Sequence, residues 1–172
     1  SHETLRDRLW MWGHVPEIIV GTHNIPKGND IGIADAIKSM GIPNVCVINW
    51  GDIPELPYDE EFIEQFKDAK QVAWSIMAGP EKKYAYERLA KEGFALLDKM
   101  PTLVEFYLDD FFDYMATVDE ETGLAKSYMS LEHLKKLKSD MLKLKQHPKL
   151  AMVLYTHQLN PGVKPYIEYC DR

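Results

Sequence analysis

Cysteine is scarce in this chain: Cys46 and Cys170 are the only two in 172 residues. They stand far apart, with no CxxC and no zinc-type spacing, so neither a disulfide framework nor a structural zinc site organises the sequence. Cys46 lies inside the apolar run NVCV and reads as a small buried hydrophobe. Long hydrophobic runs are missing as well; none approaches the ~20 residues of a membrane span. Basic residues are outnumbered, 20 Lys and Arg against 27 Asp and Glu, for a net charge of -7. A nucleic-acid binder normally carries a basic face, so that class is disfavoured. No signal-peptide pattern opens the chain, and nothing in it fixes a compartment or an oligomeric state. Three chemistry-bearing motifs are also lacking. There is no GxxxxGK[ST] phosphate loop, no GxSxG nucleophile elbow and no GxGxxG dinucleotide fingerprint.

What is present is ordinary for a folded domain: 45% apolar and 27% charged residues. The length suits one sizeable core, and 1–172 reads as a single domain. Short apolar runs alternate with amphipathic ones. Strands are expected at 8–14, 44–50, 71–77, 103–108 and 150–157 from their β-branched and aromatic content. Helices are expected at 31–40, 58–69, 81–100 and 131–146 from apolar residues at three- to four-residue spacing. Asp30 and Ser130 are candidate caps, and Gly41 with Pro43 stops the first helix. The segment KPYIEYC reads as a short helix leading toward a sixth strand. The acid-rich run from Asp52 to Glu64 fits a helix start and a solvated surface.

Strands and helices alternating in this way predict an α/β protein with a parallel sheet. Both an open doubly wound sheet and a (β/α) TIM-type barrel fit. The preferred expectation is the barrel, incomplete here because about five strand–helix units use up the chain, whereas a full barrel takes ~250 residues. Alternation along the fourth strand separates Val104, Phe106 and Leu108 from Glu105, Tyr107 and Asp109. The first set should face the helices and the second the barrel axis. In the third strand, Val72, Trp74 and Ile76 form the apolar back, and Gln71, Ala73 and Ser75 the inner set. A polar lumen is the resulting expectation.

Each strand then runs into polar residues at its carboxyl end, where both architectures hold their ligands. His14 ends the first strand, Asn49 and Trp50 the second (with Asp52 close behind), Ser75 the third, Asp109 and Asp110 the fourth, and His157 and Gln158 the fifth. The stretch FYLDDFFDY is the most informative, because burying a carboxylate without a partner is costly. Phe111 and Phe112 are expected to wall the site and raise a carboxyl pKa for acid/base work.

The segments RLWMWGH, MGIPNV, AWSI, YLDDFF and LYTHQL resemble those of an uncharacterised bacterial family of (β/α)-barrel proteins, distantly similar to glycoside-hydrolase-type barrels. The resemblance covers Leu9 to Asp171 and bears on fold more than on activity. Chitinase-like barrels carry alternating acids on their fourth strand ending in a catalytic Glu; here the set is Glu105, Tyr107 and Asp109 with no Glu following, which argues against that mechanism.

The expected function is a carbohydrate-active barrel that hydrolyses a glycosidic bond with carboxylate acid/base chemistry. Asp109 is the first-choice acid/base, and Asp110 its neighbour or a substrate-orienting group. The second acid is open between Glu105, Asp52 and a carboxylate in a missing sixth to eighth strand. Trp12, Trp50, Tyr107 and Phe111 are candidates for stacking on sugar faces. His14, Asn49, His157 and Gln158 are candidate polar contacts. The ligand is a small molecule or a glycan, and no cofactor or metal is assigned. Two alternatives stand beside this reading. One is a metal-dependent hydrolase drawing on His14, His23, His157 and Asp109 or Asp110, although HxH and HExxH are absent. The other is a barrel that binds a glycan without turning it over.

Overall fold

The structure is a computed structural model that describes residues 3–13, 31–50 and 52–172. Five strands form one sheet: β1 (Trp10–Gly13), β2 (Asn44–Val47), β3 (Gln71–Ala78), β4 (Leu103–Asp109) and β5 (Lys149–Met152). They lie side by side in chain order and every pair is parallel. The helices between and after them are α1 (Ile33–Met40), α2 (Glu60–Glu64), α3 (Tyr86–Leu96), α4 (Leu131–Met141) and α5 (Lys164–Ile167).

Strand order without reversal has a physical consequence. Right-handed crossovers between successive neighbours all fall on the same side of the sheet. The main core accordingly joins Ile37 of α1, Ile63 of α2, Leu89 of α3, Leu134 of α4 and Tyr166 of α5 to strand residues such as Val45, Trp74, Phe106 and Leu150. A doubly wound sheet would need helices on both faces. The opposite face here is filled by strand-derived side chains, Cys46, Ile48, Ala73, Tyr107 and Ala151, with Trp10 and Val153 against them.

The alternation read along β3 and β4 holds. Val72, Trp74, Ile76, Phe106 and Leu108 enter the helix-side core, while Ala73 and Tyr107 enter the other cluster. Two refinements follow. A register shift between Ser75 and Met77 breaks the strict alternation, and Ser75 Oγ donates to the Met77 carbonyl there. Both Ile76 and Met77 therefore enter the same core. The inner face is also less polar than expected: Cys46, Ile48, Ala73, Tyr107 and Ala151 fill its middle, and its carboxylates, Glu105 and Asp109, sit four residues apart on β4.

The regular elements are shorter than the periodicity suggests. The second expected helix is regular only over Glu60–Glu64, where Asp59 accepts a hydrogen bond from the Glu61 amide. Beyond it, Phe66, Lys67 and Ala69 donate to carbonyls three residues back, a tighter winding that delivers Phe66 to the core. The third helix starts at Tyr86 and not at Glu81; the Glu81 carboxylate reaches forward to accept the Tyr86 N–H, an amide with no partner inside the helix. Ser130 caps α4 as expected, accepting from the His133 amide, and Gly41 closes α1 at φ +62°. Asp30 lies outside the described residues. In α3, a Cβ at Gly93 would meet Ile76 Cγ2 at 2.8 Å, so only glycine lets this helix sit so close to β3.

The fifth strand ends at Met152, and Thr156–Gln158 forms a 3-10 turn. Past α5, the Asp171 N–H donates to the Leu150 carbonyl and the Met152 N–H to the Arg172 carbonyl. Residues 171–172 thus run beside the outer edge of β5 in the same direction, which matches the expected approach to a sixth strand.

Candidate functional site

The strand carboxyl ends and their loops build a cleft of about 400 Å³, a volume suited to a small ligand. Trp50 after β2, Ala78 at the end of β3 with Gly79 and Pro80 after it, Asp110 and Phe112 after β4, and Tyr155 with His157 after β5 supply its walls. Four of the loops that follow parallel strands therefore meet in one place.

Two of these loops turn sharply through left-handed aspartates, Asp52 at φ +63° and Asp110 at φ +46°. Such backbone is uncommon for a residue with a side chain, and aspartate tolerates it better than most. The Asp52 carboxylate accepts the Lys83 N–H, which ties the β2 loop to the β3 loop and gives this acid a structural task. Asp110 faces the cleft, and its Oδ1 accepts a hydrogen bond from the Tyr155 hydroxyl at 2.9 Å.

Asp109 lies behind Asp110, 6% exposed. Its Oδ1 accepts the Asp110 N–H at 3.0 Å. Burial, together with the charge of Asp110, pushes its pKa up to about 6 despite that hydrogen bond. Burial and the bond to Asp110, with the charges of both aspartates, push the Tyr155 phenol up to about 12. Tyr155 thus feels both carboxylates and remains a proton donor across the ordinary pH range.

The expected site residues divide into groups. Trp50, Asp110, His157 and Gln158 line the cleft together. Asn49 is buried at the end of β2 beside a smaller cavity that shares Gly79, Pro80 and Lys82 with the cleft. Its Nδ2 completes no hydrogen bond among the described residues. Burial raises the nearby Tyr58 phenol to about 12, against weaker opposing pulls from Trp74 and Asn49, and its hydroxyl completes no hydrogen bond of good geometry among the described residues. Gln158 is buried and positions the rim: its Oε1 accepts the Tyr155 N–H, and its Nε2 donates to the Asp113 carbonyl. His14 and His23 lie outside the described residues.

Trp12 and Tyr107 sit on the inner sheet face and not in the cleft. Tyr107 is buried, and its hydroxyl donates to the Val47 carbonyl at 2.8 Å, so it forms a floor under Trp12 and not an open wall. Phe112 lines the cleft, but Phe111 is core, packed on Phe112 and Tyr166. Glu105 is held by Arg172 at 2.7 Å. It also precedes Asp109 by four residues along the strand, about 13 Å at ~3.3 Å per residue, too far from the rim to partner that acid directly.

Sequence reasoning missed Tyr114, Tyr128 and Tyr155, which complete the aromatic lining. Tyr155 was within reach, two positions before His157 at the end of an expected strand. Tyr114 and Tyr128 come from the excursion between β4 and α4, whose path depends on distant contacts. Among the described residues no group of three His, Cys, Asp or Glu side chains is placed to hold a metal ion, and no helix is long and apolar enough to cross a membrane. Compared with protein-family models, curated proteins and solved structures, the chain matches none.

Proposed function

We propose that this is a carbohydrate-active protein of the (β/α)-barrel type, and that it hydrolyses a glycosidic bond in the cleft at the strand carboxyl ends. The observation that carries the reading is Asp110 on the wall of an aromatic-lined cleft, with the buried Asp109, itself outside the lining, hydrogen-bonded to its amide. Sugars present apolar ring faces and many hydroxyls, and a site built of phenol, indole and imidazole rings around a carboxylate complements both. The sequential strand order and the helices packed on one face support the barrel type.

In this reading Asp109 is the general acid. A carboxyl with a pKa of about 6 is mostly protonated below that pH and about a tenth protonated at pH 7; that form gives its proton to the leaving oxygen while water adds at the anomeric carbon. Asp110, fixed by Tyr155, orients the sugar or stabilises positive charge developing at its anomeric carbon. Trp50 and His157 flank the bound ring, and Gln158 keeps the β5 loop in register with them.

The test is release of reducing sugar from a panel of oligosaccharides and chromogenic glycosides. Wild type should release sugar, and Asp109→Asn should lose at least 100-fold in kcat, in line with removal of a general acid, with its thermal transition retained. Unchanged turnover in Asp109→Asn removes it from the mechanism. Binding without release by wild type favours a non-catalytic glycan-binding barrel, a role the same cleft would serve.

A further inference from the structure

Among the described residues no lysine, arginine or histidine forms an ion pair with Asp109 or Asp110. Asp110 Oδ1 takes the Tyr155 hydroxyl, and its Oδ2 accepts no hydrogen bond among the described residues. The charge of Asp110 has the same sign as that of Asp109 and opposes its ionisation. Neighbouring carboxylates without a counter-ion, one of them buried, are costly.

The surroundings add to this charge instead of offsetting it. The segment between β4 and α4 carries Asp110, Asp113, Asp119, Glu120 and Glu121 against Lys126 alone. Acids gathered around a cleft draw in groups of the opposite sign. Among the described residues the lining holds one lysine, Lys82. Its Nζ lies 5.9 Å from the centre of the Trp50 ring, a cation–π contact and not an ion pair with the aspartates. The aromatic wall thus already accommodates one ammonium group.

The remaining rings are held in place. His157 Nε2 is 2.8 Å from the Tyr114 carbonyl oxygen, and Asn160 Nδ2 donates to the Ala116 carbonyl. A preorganised set of rings loses little freedom when a ligand enters. Such walls suit an organic ammonium, which aromatic faces attract, better than a metal ion, which needs a shell of oxygen ligands.

We propose that the cleft takes a sugar carrying a protonated amine, with its ammonium group paired to Asp110 between the aromatic walls. The inference rests on the carbohydrate reading above and adds the substrate's class: an amino sugar, and not a neutral or acidic one. The bound ammonium supplies the counter-ion that the two aspartates lack.

The experiment is an array of amino oligosaccharides, each beside its N-acetylated and its hydroxyl counterpart, followed by calorimetric titration of the retained sets at about pH 6, where the amine is protonated. Wild type should bind the amine form about tenfold tighter than either counterpart, as a charge-assisted hydrogen bond allows. Raising sodium chloride from about 50 to about 500 mM should shrink that preference by screening. Asp110→Asn should abolish it. Asparagine also tolerates the left-handed backbone at 110 and can still accept from Tyr155, and the salt series on wild type reads the same pairing without any substitution. Equal affinity for the three forms, or an amine preference that survives Asp110→Asn, overturns the amine inference and leaves the carbohydrate reading standing. Retention of no sugar of any kind overturns both.

Discussion

The rings of Trp12 and Tyr107 meet with centroids 4.8 Å apart, although β2 and β3 run between the strands that carry them. Three strand spacings in a flat sheet would separate β1 from β4 by about 14 Å at ~4.8 Å each. The side chains close that gap because the sheet curls, with its inner face concave. Two further contacts span the hollow. The Tyr107 hydroxyl reaches the Val47 carbonyl on β2. The Arg172 guanidinium, beside β5, binds Glu105 on β4 and lies 5.4 Å from the centre of the Trp10 ring on β1.

Tyr107→Phe removes only the hydroxyl from this hollow and leaves the Val47 carbonyl without that donor. The expected cost is about 1–2 kcal/mol of stability, measurable by urea denaturation at neutral pH. A variant as stable as wild type would mean that the hydroxyl bond does not help hold the curl.

Asp109 predicts a pH-dependent stability. Its carboxyl titrates at about 6 in the folded chain against an ordinary value of 3.8. The folded state therefore holds a proton that the unfolded state releases, and stability must fall as pH rises between these values. The penalty is absent below pH 3.8 and fully developed above 6, on the order of 2–3 kcal/mol. Asp109→Asn mimics the protonated acid, so its stability relative to wild type should improve from pH 4 to pH 8. A gap that stays constant with pH would contradict the shifted pKa.

Glu105 and Arg172 make a different case. Burial raises the Glu105 pKa from its ordinary 4.5, and the Arg172 charge works against that rise. Arg172→Ala removes the opposing charge and should push the carboxyl higher. The variant should lose about 2 kcal/mol, less than a fully buried pair because Arg172 is largely exposed. The sign follows as for Asp109: the electrostatic part of the loss should be absent at acid pH and grow as pH rises past the wild type's own raised Glu105 pKa. Thermal denaturation of both proteins across this range checks it, and a loss independent of pH would mean that only the contact with Trp10 matters.

The strands and their two faces were legible because alternation is a local property of the chain. Trp74 and Phe106 identify the helix side, and Ala73 and Tyr107 the inner side, from sequence neighbours alone. Lengths were less legible. Glu81 and Phe66 lie in stretches of helical periodicity, yet a carboxylate turning back on an amide and a core aromatic needing delivery override it. The cleft was half legible. Asp110, Trp50 and His157 follow directly from strand ends, whereas Tyr114 reaches the site only because His157, Gln158 and Asn160 hold its backbone from more than forty positions away. Glu105 was a plausible second acid until its place along β4 and its bond to Arg172 were known.

The bonds from His157, Gln158 and Asn160 also bear on the order in which the molecule matures. A nascent chain that has emerged only as far as α4 already contains β1 to β4, the aspartate pair and Tyr114 itself, yet lacks His157, Gln158 and Asn160, the three side chains that bond to the 113–116 backbone from beyond β5. Long-range closures of this kind come late, since the intervening chain must first be ordered. During synthesis the two aspartates would thus be present before the segment that fixes the 113–116 backbone.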